Sequence, residues 1–180
     1  IYCSISGFGS DRGRDLPGYD LLVQAMGGLM SVTGPSSEEP TKVGVALVDV
    51  ITGLHACVGI LAALQHRDRT GEGQRIEVNL LSSLLSALVN QAAAFVGAGV
   101  VPRAMGNAHP SIAPYEVYPT ADQPLVIAVG NDSQFAALVG ELGAADLAKD
   151  PRFATNPQRV AHREDLKVAL VGLLAAHDAQ

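Results

Sequence analysis

The residue of this sequence best placed to do chemistry is an aspartate standing alone in a long apolar run. Across residues 43–64 the only polar side chains besides Asp49 are Thr52 and His55. Apolar residues occupy every face at a 3.6-residue period, over a length too great for a strand, which predicts a buried helix. An ionised carboxylate is costly there unless it is paired or faces a cavity, and residues in such positions tend to be reactive. The plain alternative is a carboxylate at the start of a helix that begins near Asp49, favoured by the helix dipole. On position alone the plain alternative is the stronger. His55 and His109 are the residues a search for a general base would find, and each reads first as a packed or turn histidine. Arg12 and Arg14 lie in a polar segment broken by Gly13 and Pro17 and read as solvated surface.

The elements that must position Asp49 come in order. Residues 1–5 alternate as a strand and run into Gly7-Phe8-Gly9-Ser10, a glycine turn. Strand ends are where open α/β sheets place ligands. From Gly18-Tyr19-Asp20 a periodic segment with Leu21, Leu22, Ala25, Met26 and Leu29 predicts a helix ending before Gly34-Pro35. After the Asp49 helix, Gly71 reads as a C-terminal stop, and residues 75–80 alternate as a second strand. Residues 80–96 return to helical spacing with small Ser and Ala positions, and residues 97–113 break it. Composition then shifts. Two short strands, 115–118 and 125–129, are joined by a hairpin-length connection and followed by helices over 133–142 and 159–177. The expected division is 1–90 as part of a large α/β domain, 91–105 as a linker and 106–180 as part of a small domain.

Composition bounds the partners. The 180 residues are 48% hydrophobic, enough for a sizeable core. No apolar run has the flanks of a membrane span or signal peptide, so no membrane partner is expected. The formal charge of −6, with no basic cluster beyond His66-Arg67-Asp68-Arg69, argues against nucleic acid. Cys3 and Cys57 both lie in apolar runs, which suits buried thiols in a reducing cytoplasm better than a disulfide. No CxxC pair or His/Cys cluster argues for a metal. The sequence opens on Ile1-Tyr2-Cys3-Ser4-Ile5 without an initiator Met and reads as a piece of something longer.

Taken together, several short segments resemble the class III CoA-transferases, a family that also holds formyl-CoA transferase, carnitine CoA-transferase and the α-methylacyl-CoA racemases. They are Ile5-Ser6-Gly7-Phe8-Gly9, Pro17-Gly18-Tyr19-Asp20, Gln24-Ala25, Thr33-Gly34, Asp49, Gly53-Leu54-His55-Ala56 and Gly59-Ile60-Leu61-Ala62-Ala63-Leu64. Arg67, Thr70-Gly71-Glu72-Gly73-Gln74, Gly106-Asn107, Pro114-Tyr115 and Asp150-Pro151-Arg152-Phe153 follow in the family's order. The resemblance runs along essentially the whole chain. It implies an α/β fold: part of a Rossmann-like large domain, a linker and a smaller α+β domain, in a homodimer whose subunits interlock.

The resemblance reverses the odds on Asp49, which falls at the family's catalytic aspartate. It implies an acyl-CoA:carboxylate CoA-transferase working through aspartyl-anhydride and aspartyl-CoA intermediates, with acyl-CoA as substrate and no permanently bound cofactor. Water must be kept from such an anhydride, and Val45, Ala46, Leu47 and Val50 are expected to form a dry wall. Oxyanion donors are expected from backbone N–H groups at the helix start or near Gly53. Pro17, Gly18, Tyr19 and Asp20 are the implied CoA contacts. Tyr19 stands thirty residues before Asp49, where the family's racemases carry a catalytic His, and a phenol is a poor base near neutral pH. Transfer is therefore favoured over the two alternatives, an acyl-CoA racemase or epimerase and an inactive fragment with a structural Asp49. Formyl-CoA transferases continue past Gly106-Asn107-Ala108 with a run of glycines, whereas His109-Pro110-Ser111-Ile112-Ala113-Pro114 follows here, which argues against formate or oxalate. By itself the chain lacks the family's upstream CoA-binding loops and is expected to be inactive.

Overall fold

The computed structural model describes residues 1–179. It divides into two compact units, Ile1–Ala104 and Met105–Gln180. The first is an α/β unit built on two parallel strands, β1 (Tyr2–Ser6) and β2 (Arg75–Asn79), paired from Tyr2↔Arg75 to Ser6↔Asn79. Parallel strands need a crossover, and here it consists of α1 (Asp20–Met26), a short 3₁₀ turn and α2 (Leu47–Thr70). Gly71 ends α2 in the left-handed conformation at φ 79°, and its N–H donates to the Arg67 carbonyl at 2.7 Å. That is the stop the sequence predicts.

The apolar run that reads as one helix over residues 80–96 is two, α3 (Leu80–Ala87) and α4 (Val89–Ala98), bent by 79°. Val89 takes a positive φ of 39° at the bend, a strained conformation for a β-branched residue. No Gly or Pro marks it, so periodicity alone carries straight through. The stretch expected as a linker, 91–105, thus begins inside α4, and the first unit extends to Ala104.

The core of the first unit gathers Val23 from α1, Val48 from α2, and Leu80 and Leu84 from α3. Across the rest of α2 only Thr52, Ala56 and Ala63 are buried. The expectation of a helix buried on every face is corrected: Val50, Leu54, Val58 and Leu61 form an exposed apolar stripe, Leu54 at 61%. By length and composition alone α2 could cross a membrane. Its packing against β2 and α3, with Asp49, Thr52 and His55 along its length, is that of a layer helix on a sheet. Cys3 is half-buried and Cys57 exposed, so the expected burial of Cys57 is also corrected.

The second unit pairs β3 (Tyr115–Tyr118) and β4 (Leu125–Ala128) as an antiparallel hairpin, followed by α5 (Asp132–Glu141), a 3₁₀ turn, α6 (Asn156–Ala161) and α7 (Arg163–Leu174). The helix predicted over 159–177 breaks at His162. Arg159 explains the local geometry. Fully buried, it donates from Nε to the Ala113 carbonyl at 2.7 Å, from Nη1 to the Phe153 carbonyl at 2.9 Å and from Nη2 to Asp132 at 2.7 Å. Phe153 of the Asp150-Pro151-Arg152-Phe153 segment sits in the core with Tyr118, Phe135, Leu166 and Leu170. That segment is structural here.

Candidate active site

Two glycines bring the start of the site together. A Cβ on Gly7, just past β1, would lie 2.4 Å from the Gly18 Cα, and one on Gly18 would lie 2.6 Å from the Gly7 Cα. Only glycine at both positions lets the end of β1 touch the Pro17-Gly18-Tyr19-Asp20 segment. The Gly7 carbonyl also accepts from the Leu81 N–H at 3.1 Å, tying α3 to the same point. Gly18 therefore has a packing role that its assignment as a CoA contact does not describe.

Tyr19 precedes the first residue of α1 and is 68% exposed, with its ring available to a ligand. Asp20 opens α1, and its side chain reaches the start of α2. Its Oδ2 accepts from the Val48 N–H at 2.8 Å and the Asp49 N–H at 3.2 Å. Its Oδ1 accepts from the Gln24 amide one turn along α1, and Gln24 Oε1 accepts from the Val43 N–H at 2.9 Å. Gln24 is fully buried and satisfied at both ends. Asp20 is thus the cap of α2, supplied from another helix. Ala46, at the cap position itself, provides no side-chain bond.

Asp49 is the third residue of α2, in its first turn, and exposed. Among the described residues no hydrogen bond or ion pair engages its carboxylate. The helix dipole favours a negative charge there, but the capping that the plain reading assigned to Asp49 is done by Asp20. The expected dry wall is absent from this unit, because Val45 and Val50 are exposed. The expected oxyanion donors are also taken. Leu47 N–H donates to the Val45 carbonyl, Val48 and Asp49 N–H donate to Asp20, and Val50 N–H donates to the Ala46 carbonyl. Gly53, the seventh residue of α2, is inside the helix, where N–H groups bond the carbonyl four residues back.

Each candidate histidine has its Nδ1 engaged within its own unit. His55 Nδ1 lies 3.0 Å from the hydroxyl of buried Ser83, and His109, in the second unit, accepts from the Ser111 N–H at 3.2 Å beside Tyr115. Arg12 and Arg14 are exposed in their loop. No cluster of three or more metal-ligating side chains occurs among the described residues.

A polar cleft that sequence reasoning did not single out lies toward the carboxyl ends of the parallel strands. It has a volume of about 260 Å³ and is lined by Ser4, Ser6, Ser10, Glu77 and Asn79, with Gly9 and Val78. Ser10 donates to Glu77 at 2.9 Å. The signal was present in the two-residue period, which puts Ser4, Ser6, Glu77 and Asn79 on one face. Asp20 and Gln24 carried a weaker signal, a polar pair four residues apart on a mostly apolar helix.

Comparison with known proteins bears on this arrangement. The family model described as CoA-transferase family III matches residues 1–180. A succinate–glutarate CoA-transferase of Agrobacterium fabrum is 48% identical over 168 residues, 93% of this chain and 42% of the relative. An acetyl-CoA:oxalate CoA-transferase of Acetobacter aceti is 41% identical over 99% of this chain and 46% of its own length. The crystal structure of a CAIB/BAIF family protein from Brucella suis superposes with a TM-score of 0.80 at 45% identity, covering 99% of this chain and 47% of that one. The chain thus spans less than half the length of these relatives, and within that span it belongs to CoA-transferase family III.

Proposed function

We propose that the full-length protein transfers CoA from an acyl-CoA to a free carboxylic acid, with Asp49 as nucleophile. The observation that carries this is an exposed carboxylate in the first turn of α2, left without a bonding partner while Asp20 does the capping. The Asp49 carboxylate attacks the thioester carbonyl, the C–S bond breaks, and CoA thiolate leaves an acyl-aspartyl anhydride. The thiolate then attacks the aspartyl carbonyl, releasing the donor acid and leaving aspartyl-CoA. The acceptor carboxylate displaces the thiolate to form a second anhydride, and thiolate attack on the acceptor's carbonyl gives the new acyl-CoA and frees Asp49. Each intermediate stays activated, so the cycle needs no external energy source.

Pro17, Gly18 and Tyr19 are the proposed CoA-facing residues. Asp20 belongs to the same segment, but its carboxylate is turned to α2. The names of the relatives support dicarboxylic acids as the substrate class, with succinyl-CoA and glutarate the first pair to assay. One relative is named for oxalate, so that acid joins the assay, although the glycine run expected of an oxalate or formate enzyme is missing here. An interlocked homodimer and a cytoplasmic setting complete the proposal, the latter supported by two free cysteines.

The test runs transfer and α-proton exchange side by side in heavy water. The full-length protein is expected to pass CoA from succinyl-CoA to glutarate, with no deuterium entering an α-branched acyl-CoA when the acceptor is left out. Rapid deuterium uptake without acceptor, and no transfer, would instead establish the racemase alternative.

A further inference from the structure

Asp49 makes no side-chain bond of its own among the described residues, so its direction depends on the backbone that carries it. That backbone is fixed from α1. One Asp20 oxygen takes the N–H groups of Val48 and Asp49, while the other is held by the amide of buried Gln24, whose own oxygen takes the Val43 N–H. Two residues one helical turn apart therefore clamp both ends of segment 43–49. Asp20 is also the immediate neighbour of Tyr19, so the same clamp ties the backbone of the proposed CoA-facing residue to that of the proposed nucleophile. Both Asp20 oxygens are engaged within the protein, which leaves it poorly suited to bind a ligand directly.

We infer that Asp20, locked by Gln24, is a positioning residue that aims Asp49 at the thioester carbonyl. The inference rests on the reading of Asp49 as nucleophile. It differs from the assignment of Asp20 as a CoA contact and predicts a different kinetic signature. A misaimed nucleophile slows acylation and leaves ground-state binding alone, whereas a lost CoA contact raises KM.

The experiment uses the full-length protein, with succinyl-CoA as the probe, and follows acylation of Asp49 by rapid quench and mass spectrometry. Asp20→Ala is expected to slow acylation by about 10- to 100-fold, with KM for succinyl-CoA within about twofold of the parent. Asp20→Asn gives up the acceptor for Gln24 but keeps an oxygen for the two N–H groups that carry Asp49, and is expected to recover most of that rate. Should Asp20→Ala fail to fold, Asp20→Asn decides. A folded Asp20→Asn with near-parental KM and acylation within about fivefold supports the assignment, and a loss as large as that expected for alanine overturns it. A raised KM with unchanged acylation in Asp20→Ala also overturns it, in favour of direct CoA binding. Absence of any modification at Asp49 in the unsubstituted protein overturns the nucleophile reading as well. Normal modification with an unchanged rate in Asp20→Ala overturns only the positioning role.

Discussion

At the residue scale, two carboxylates at one helix start divide two jobs. Asp20 takes the capping bonds, and Asp49 keeps its oxygens free. Asp49 stood out in the sequence because a lone charge in an apolar run is conspicuous, but position alone favoured a cap and only the family resemblance pointed to a nucleophile. The role of Asp20 was not legible there, because capping from another helix across 28 residues has no local signature and the usual cap position holds Ala46. His55, read from the sequence first as a packed histidine, has its Nδ1 3.0 Å from the hydroxyl of buried Ser83. Tyr19 adds a test of its own. It is exposed and adjoins Asp20 in the chain, so Tyr19→Phe in the full-length protein should raise the transfer barrier by about 0.5 to 1.5 kcal/mol, the amount typical of one hydrogen bond. Steady-state kinetics with succinyl-CoA and glutarate measure it. Complete loss of transfer would mean that the hydroxyl takes part in the chemistry itself.

At the element scale, α2 is both the scaffold of Asp49 and the helix on which hydropathy misleads most. Its apolar residues on every face predict burial all round, yet only the face toward α1, α3 and β2 is covered in this chain. Hydropathy reports what a side chain would gain by leaving water and says nothing of which neighbour covers it. The β1–β2 pairing, the Gly71 stop and the β3–β4 hairpin were legible because alternation and turn chemistry are local. The bend at Val89 and the break at His162 were not, since no Gly or Pro stands at either point and the apolar periodicity runs through both. The stripe of Val50, Leu54, Val58 and Leu61 makes a direct prediction. In the 180-residue chain, Leu54→Gln with Leu61→Gln should change stability by no more than about 0.5 kcal/mol per site, while reducing binding of a hydrophobic dye. We expect the stripe to be covered in the full-length protein, so truncating either leucine to alanine there should cost about 2 to 5 kcal/mol. Urea melts of both proteins measure the contrast.

At the scale of the whole molecule, two units with separate cores carry different parts of the account. The first holds Tyr19, Asp20 and Asp49, and the second is a hairpin with helices around Tyr118, Phe135 and Phe153. Burial, and then the charge of Glu116, push the Tyr118 phenol well above its ordinary value of 10.0. The unfolded chain therefore loses that proton at lower pH than the folded one. The stability linked to the neutral phenol is present below the ordinary value and is lost as pH rises beyond it. Calorimetry of the chain from about pH 8 to about pH 11 should show a falling melting temperature, with the alkaline limb flattened in Tyr118→Phe. An unchanged limb in that variant would place the titrating group elsewhere.

The central claim is that Asp49 becomes covalently attached to the acyl group and then to CoA. The full-length protein, incubated with succinyl-CoA and quenched with hydroxylamine or borohydride, is digested and read by mass spectrometry. Modification at Asp49, abolished together with transfer in Asp49→Asn, is the expected result. Sustained transfer with Asp49 never modified, or an Asp49→Asn protein that turns over like the parent, would contradict the account.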